Sequence, residues 1–546
     1  MRLYWCSECN IPVNTKTCPL CHNKCSYFAM DARPVFPEEI ILLEILLHRK
    51  GELQGRSVWN TKGNRYFVDG EHLEFSVQKT IEEWDADLAH QLYVKETSSN
   101  RVENDAFQSM ISKFILANKK RLNKLEYNSF ELIKKVSEDE KFKNRIKMIS
   151  FSGGKDSTVV SSLVRRALGQ TDILHVFGNT TLEFEETYKY LNLFRKRNPL
   201  VPFIISKSDR DFYKLCEAIG PPSRVMRWCC TVFKTGPIGE EIDNFSGGKK
   251  ILTFYGIRRS ESKQRSNYDE VSESPKIAKQ IVVSPIIEWA DLDIWLYLLT
   301  YNELFNKAYR LGFSRVGCAV CPNNSDWAFF LNRVHFPEQS SKWRNFLIDF
   351  SRSIGKIDAE EYVDSGNWKA RQGGNGMEVS QTKIKFEPCA TEDNARNFWL
   401  TKPITKDLYE YFKPFGSLDF ERGIALLEEV YVWGRKDEKK VKPLIKLQGK
   451  IGQNHLKIIV DPKMLKTSYP GKSYLLFEEW IDCQLRKYQS CIECGGCPAI
   501  CKMKAITLIN DEYRIDSRKC IGCMECIAHF DRGCLVTKVT QTRRDS

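Results

Sequence analysis

The spacing of apolar residues changes period sharply around position 150. Ile146, Met148 and Phe151 follow the short period of a strand. Val159, Val160, Leu163, Val164, Ala167 and Leu168 then recur at helical spacing, and Gly169 follows as a C-cap. Asp172–Phe177 returns to strand character, so these segments predict a right-handed βαβ unit with parallel strands. Phe203–Ser206 and Ile251–Gly256 predict further strands of the same sheet. Upstream, residues 113–147 predict a helix rich in lysine (Lys113, Lys119, Lys120, Lys124, Lys134, Lys135), interrupted by Glu138, Asp139 and Glu140. That pattern fits a solvated face better than a nucleic-acid contact. The densest apolar run, Ile40–Leu47, contains Glu44 and is too short to span a bilayer.

The turn between the first strand and its helix carries chemistry. Residues 150–157 read Ser-Phe-Ser-Gly-Gly-Lys-Asp-Ser. A glycine-rich turn at a helix N-terminus offers outward amides and a favourable dipole to an anion. Gly153 and Gly154 admit close approach, Lys155 adds a cation, and Ser152 and Ser157 add hydroxyls. The spacing is not that of a P-loop NTPase. It resembles the PP-loop of the ATP pyrophosphatase and phosphoadenosine-phosphosulfate (PAPS) reductase superfamily. That resemblance implies an adenine nucleotide alpha hydrolase-like α/β core with a mostly parallel sheet. It also implies binding of ATP or an adenylyl nucleotide at Ser152, Gly153, Gly154, Lys155, Asp156 and Ser157.

Composition narrows the class. The chain has 546 residues, enough for three or four domains, and 42% hydrophobic content supports folded cores. The N-terminus shows no apolar signal core, which predicts a cytoplasmic protein with no membrane partner. The net charge of +13 leaves RNA or DNA open as a partner. Twenty cysteines, many of them clustered at CxxC spacing, without an export signal, point to metals rather than disulfides.

Cys6, Cys9, Cys18 and Cys21 form two knuckles suited to a tetrahedral structural site. They look like a zinc ribbon, with rubredoxin-like iron as the alternative. In the middle of the chain, Cys229-Cys230 and Cys318-Ala-Val-Cys321 resemble the pair and CxxC of the iron–sulfur branch of the PAPS reductase family, which implies a 4Fe-4S cluster near the nucleotide; zinc is the alternative. Further segments are similar to that family in the same order: Gly178–Thr187, Arg227-Trp228 before the cysteine pair with Lys234 after it, Gly256–Ser262 with Arg265, and Ser284-Pro285-Ile286 with Trp289, Asp293 and Trp295. The resemblance covers about a third of the chain. It implies roles near the nucleotide tail for Lys155, Asp156, Arg258 and Lys234, with Arg258, Arg259 and Arg265 suited to bidentate pairing with phosphate or sulfate. Asp156 would help place Mg²⁺ through water if ATP is the substrate.

Two departures redirect that reading. Sulfonucleotide reductases of the family usually replace the PP-loop lysine, whereas Lys155 is present. They also end in a mobile cysteine within a Glu-Cys-Gly-type motif, and Glu-Pro-Cys389-Ala matches it poorly. Both favour ATP-dependent activation coupled to sulfur transfer, as in the DNA-phosphorothioation and tRNA-thiolation branches. Direct adenylyl-sulfate reduction is the alternative. A non-catalytic nucleic-acid-binding or redox-sensing protein is the reading from a different class.

The C-terminus has the most specific pattern. Cys491, Cys494, Cys497 and Cys501 have the spacing C-x2-C-x2-C-x3-C, and Cys520, Cys523, Cys526 and Cys534 follow. This resembles a two-cluster bacterial ferredoxin, in which the fourth cysteine of each run ligates the other cluster. The resemblance assigns Cys491, Cys494, Cys497 and Cys534 to one 4Fe-4S cluster, and Cys501, Cys520, Cys523 and Cys526 to the other. Lys502 stands where proline is usual, and seven residues separate Cys526 from Cys534. Such a domain implies an external electron donor, as the family resemblance of the core implies a sulfur donor or acceptor. The expected organisation is a ribbon at 1–30, a mixed α/β region at 31–145, a PAPS reductase-like domain at 146–370, with a loop at 367–377, a mixed α/β region at 371–480, and a ferredoxin-like α+β domain at 481–546.

Overall fold

The computed structural model describes residues 2–99, 105–262, 265–274, 277, 280–371, 384–435, 441–509, 512–528 and 534. Of the loop expected at 367–377, Asn367–Ala370 forms a 3₁₀ turn, and 372–377 lie outside the described residues. The chain forms two compact units, Met1–Lys207 with Glu240–Arg344, and Ser208–Gly239 with Asn345–Ser546.

The first unit is built on a six-stranded sheet. Its elements are β1 (Lys147–Ser150), α1 (Lys155–Leu168), β2 (Leu174–Asn179), β3 (Phe203–Lys207), β4 (Ile251–Phe254), β5 (Val271–Glu273), β6 (Gln280–Val283) and α2 (Asp291–Thr300). The strand order is β3-β2-β1-β4-β6-β5, and only β5 runs antiparallel to its neighbour. Connections leave in opposite directions from β1 and β4, so the crevice at their carboxyl ends is the place where such sheets bind ligands. All four residues of β4 and of β6 are buried, as expected of a parallel sheet covered on both faces. This corrects the alternation read at β1: Met148 and the adjacent Ile149 are both buried, while Ile146 precedes the strand and is exposed.

A long helix, Asp105–Glu138, packs Phe107, Met110, Ile111, Phe114, Leu122 and Ile133 into this core. It begins earlier and ends sooner than the lysine pattern suggested. The Asp139 carboxylate accepts the Lys141 amide at 2.8 Å and turns the chain toward β1. Lys113, Lys119, Lys120 and Lys124 lie on its exposed side. Arg121 makes a bidentate pair at 2.6 and 2.7 Å with the fully buried Asp293, whose carboxylate also accepts the Ala290 amide at the start of α2.

A three-stranded antiparallel sheet (Leu3–Cys6, Ile11–Val13, Ser26–Ala29) carries the N-terminal cysteines. It rests on the long helix, where Asn118 accepts the Asn14 amide and donates to the Pro12 carbonyl.

The second unit contains an antiparallel sheet of β7 (Lys385–Pro388), β8 (Ala395–Trp399), β9 (Gly416–Asp419), β10 (Val430–Gly434), β11 (Ile445–Gln448) and β12 (His455–Val460), ordered β7-β8-β12-β11-β10-β9. Burial alternates strictly along β11 and β12, so this sheet has one wet face. Helix α3 (Tyr474–Ser490), N-capped by the Ser473 hydroxyl, runs directly into Cys491. Beyond it come a short helix, Gly496–Ile500, the hairpin Ile506–Ile509/Glu512–Ile515, and a helical turn, Glu525–Ala528. No helix among the described residues is long and apolar enough to cross a membrane.

Candidate functional site

The turn from β1 to α1 lies at the point where the sheet order reverses. Gly153 sits at φ +72°, and a Cβ there would come within 3.0 Å of Thr187 Cγ2. The Ser157 hydroxyl accepts the Ser152 amide at 3.2 Å and donates to the Gly154 carbonyl at 2.8 Å, which holds the turn closed on itself. The Lys155 amide donates to the Tyr309 hydroxyl at 3.1 Å. The Asp156 and Ser157 amides stay in the first turn of α1, where helix geometry provides no acceptor. Gly256, just past β4, lies against them: its Cβ would approach Ser157 N within 3.0 Å. A glycine there leaves the backbone cradle unfilled, which suits an anion.

The charged side chains around this turn pair with one another. Lys155, 3% exposed, bridges Asp156 at 3.1 Å and Asp291 at 3.2 Å. Arg258, also buried, reaches Asp156 at 2.6 Å and Asp291 at 3.0 Å. Burial alone would push the Lys155 ammonium down, but the two carboxylates outweigh it and hold it above the ordinary lysine value. Burial would raise the Asp291 carboxyl; Lys155 and Arg258 outweigh it and hold it below the usual range. Asp31 accepts the Asp291 and Leu292 amides at 2.9 and 3.0 Å, capping α2, and its own carboxyl is raised by burial and by Asp291. Arg259 pairs with Glu288 and with the Tyr268 carbonyl, and Arg265 pairs with Glu261. Burial lowers the Arg265 guanidinium below its usual value, and Arg315 pushes the same way. Arg315 is exposed and has no ion-pair partner among the described residues, so the rim holds an uncommitted cation.

Sequence reasoning missed four of these residues: Asp31, Asp291, Tyr309 and Arg315. Only Asp291 left a local signal, an acidic residue in the first turn of a helix, two positions before Asp293.

Cys318 and Cys321 belong to the first unit. The backbone of Cys318 bridges Glu183, the Ala319 amide donates to the Leu182 carbonyl at 2.7 Å, and the Cys318 sulfur lies 3.3 Å from the Thr180 hydroxyl. Thr180 in turn donates to Glu183 at 2.7 Å. The loop after β2 therefore holds the CxxC at the carboxyl edge of the sheet. Cys229, Cys230 and Lys234 belong to the second unit, on a short helix, Trp228–Cys230, that continues as a π-helical turn, Thr231–Thr235. Within that unit the next residue, Gly236, faces Ala499 of the helix Gly496–Ile500; a Cβ on Gly236 would lie 2.6 Å from the Ala499 Cβ.

The donor sets differ in spacing. Cys6, Cys9, Cys18 and Cys21 have their sulfurs within 4.8 Å of one another, with Cys6–Cys21 at 3.4 Å and Cys9–Cys18 at 3.7 Å. Tetrahedral bonds of about 2.3 Å to zinc would separate sulfurs by about 3.8 Å, so the set fits a single metal ion. Burial and the neighbouring thiols push Cys6 and Cys9 up, Cys9 to about 11, while at Cys18 burial is outweighed by the Cys21 and Leu20 amides, which bring it down to about 7, so Cys18 is the first of these three to become a thiolate.

No other group of three such ligands in the described residues is that tight. Cys501, Cys520, Cys523 and Cys526 instead line one cavity, walled by Ile506, Ile515, Ile521 and Met524. An apolar cavity ringed by spread thiols suits a cluster better than a lone ion. Cys534 lies within electrostatic reach of Cys497 and Cys494.

Residues 146–324 match the phosphoadenosine phosphosulfate reductase domain. An uncharacterized protein of Methanocaldococcus jannaschii is 31% identical over 262 residues, 48% of this chain and 61% of that protein. The chain thus spans about three-fifths of that relative's length. The adenosine 5′-phosphosulfate reductase 1 of Bacillus subtilis is 31% identical over 173 residues, 31% of this chain and 70% of the relative. Among solved structures, the U34-tRNA thiolase NcsA from Methanococcus maripaludis with its [4Fe-4S] cluster overlaps 50% of this chain and 86% of its own, at 14% identity and a TM-score of 0.27. On the domain match and the Bacillus relative, the chain belongs to the phosphoadenosine phosphosulfate reductase family.

Proposed function

We propose that the chain is an enzyme that binds ATP or an adenylyl nucleotide at Ser152–Ser157 and carries out redox-linked sulfur activation or transfer. The observation that carries this reading is the cradle at the sheet's reversal point, with Lys155 and Arg258 buried beside it and Arg265 and Arg315 on its rim. An entering polyphosphate offers Lys155 and Arg258 an alternative to Asp156 and Asp291. Asp156, once freed, is suited to hold Mg²⁺. Cys229, Cys230, Cys318 and Cys321 are proposed to hold a third cluster, and the C-terminal cysteines the two that pass electrons. Iron–sulfur clusters supply one-electron steps when bound.

The test combines composition and turnover. Protein purified without oxygen is expected to carry about 12 iron and one zinc per chain. An iron content near eight would remove the cluster from the core. With ATP and the acceptor, pyrophosphate should be released, and Lys155→Ala should slow that release by about 10²–10³-fold. The second reading, direct adenylyl-sulfate reduction, is favoured by the Bacillus relative. Release of AMP and sulfite from adenylyl sulfate, with no ATP turnover, would establish it instead.

A further inference from the structure

Lys487 is fully buried in the middle of α3. Its ammonium donates to the Cys526 carbonyl at 2.9 Å and lies 5.8 Å from the centre of the Tyr513 ring. No carboxylate pairs with it among the described residues. Its charge-bearing neighbours include Cys497, Tyr513, Cys526 and Cys483, with Cys491, Cys534 and Tyr411 also in electrostatic reach. Taking an ammonium out of water costs several kcal/mol unless an anion compensates. A neutral amide would satisfy the Cys526 carbonyl equally well; Gln484, one turn earlier, satisfies the Tyr411 carbonyl in that way. The positive charge itself therefore needs a partner. The thiols nearby come from both cysteine sets: Cys497 from one and Cys526 from the other.

We infer that Lys487 is the buried counter-ion of the C-terminal iron–sulfur centre and sets its reduction potential. This rests on the reading that these eight cysteines hold clusters. Four thiolates around an iron–sulfur core leave it net negative, and reduction adds one more negative charge. A fixed cation in a low-dielectric interior stabilises the reduced form more than the oxidised form, so it raises the potential. A second cation serves the other end of the site. Arg435, just past β10, donates to the Cys520 carbonyl at 2.6 Å and lies 3.2 Å from the Cys520 sulfur. Both cations come from outside the cysteine runs. The region between the core and the ferredoxin-like tail therefore holds the tail in place and supplies its charge.

The experiment is a redox titration of the full chain under anaerobic conditions, followed by electron paramagnetic resonance alongside iron analysis. The C-terminal signals are identified by their loss in Cys520→Ser. Lys487→Met should keep its iron and make reduction at least tenfold less favourable, a fall of about 59 mV for a one-electron couple. Lys487→Arg should stay near the wild-type midpoint. An unchanged midpoint in Lys487→Met with full iron overturns the inference and leaves the cluster reading intact. If Lys487→Met loses iron while Lys487→Arg keeps it, the charge is needed to hold the cluster and the inference stands. Equal iron loss in both makes the lysine a space-filler and overturns it. Wild-type protein with no iron at these cysteines overturns the underlying reading and the inference with it.

Discussion

Lys155 and Lys487 are both sequestered from water, and they are held in opposite ways. Lys155, at the start of α1, sits between Asp156 and Asp291. Lys487, in the body of α3, has a carbonyl, a phenol ring and thiols around it among the described residues. The first ammonium is neutralised by the protein itself. Its site is therefore complete without a ligand, and a phosphate must compete with two carboxylates. Among the described residues, the second has no carboxylate partner, only cysteine thiols and tyrosine phenols as groups that can carry negative charge. On the proposed cluster reading, a buried charge without a carboxylate partner marks a fixed cofactor, whereas one held by carboxylates marks a site that can exchange partners.

The contrast breaks first at Lys155. Lys155→Ala should lower nucleotide-dependent turnover by about 10²–10³-fold, the usual effect of removing one preorganised electrostatic group. It should also destabilise the first unit by about 2–4 kcal/mol, because Asp156 and Asp291 lose a partner while keeping some contact with solvent. The double variant Lys155→Ala/Asp291→Asn separates the two effects: denaturant midpoints should recover, and turnover should not. Failure to recover stability would mean that the lysine packs rather than pairs.

Asp291→Asn alone sharpens the contrast. If Asp291 competes with the nucleotide tail, its removal should tighten nucleotide binding by about tenfold, or about 1.4 kcal/mol. Calorimetric titration with a non-hydrolysable ATP analogue reads this directly. Weaker binding would show that Asp291 orients the two cations instead.

Acid should distinguish the units more gently. His175, between the Ser161 hydroxyl and the Ile173 carbonyl, is lowered to about 4 by burial, and His335 to about 3. Both remain neutral in the folded state, while the unfolded chain takes up protons from about pH 6.5 downward. Stability of the first unit should therefore fall as the pH drops from 6.5 toward 4, by at most about 1.4 kcal/mol per pH unit for each histidine. The second unit has no buried histidine among its described residues. Hydrogen exchange at about pH 6.5 and about pH 4.5, on either side of most of that titration, should show protection lost in β1, β2 and α1 before β11, β12 and α3. Simultaneous loss would contradict this order.

The parts legible in the sequence were those written in short range. The strand–turn–helix register, the CxxC knuckles and the C-terminal cysteine tandem each occupy a window smaller than one domain, and the first two reappear as compact elements. What escaped came from partners far apart in the chain. Asp31 caps α2 from 260 residues away, and no local pattern announces that. The bridge from Asp156 to Lys155 and to Arg258, a hundred residues on, is equally invisible to local pattern. The helix over 113–147 was overextended because its basic composition continues past Glu138, whereas the Asp139 turn ends it. Lys487 and Arg435 gave no signal because each looks like an ordinary surface cation until burial and contacts are known.

The contact between Gly236 and Ala499 has a consequence for how the chain can change. With the two small residues facing each other, the strip bearing Cys229 and Cys230 is pressed onto the strip bearing Cys497. Enlarging either residue alone would wedge the strips apart and lengthen any jump an electron makes between them. The two positions, far apart in the chain, are thus constrained together, and a tail carrying valine at position 499 would no longer seat against the strip bearing Cys229 and Cys230.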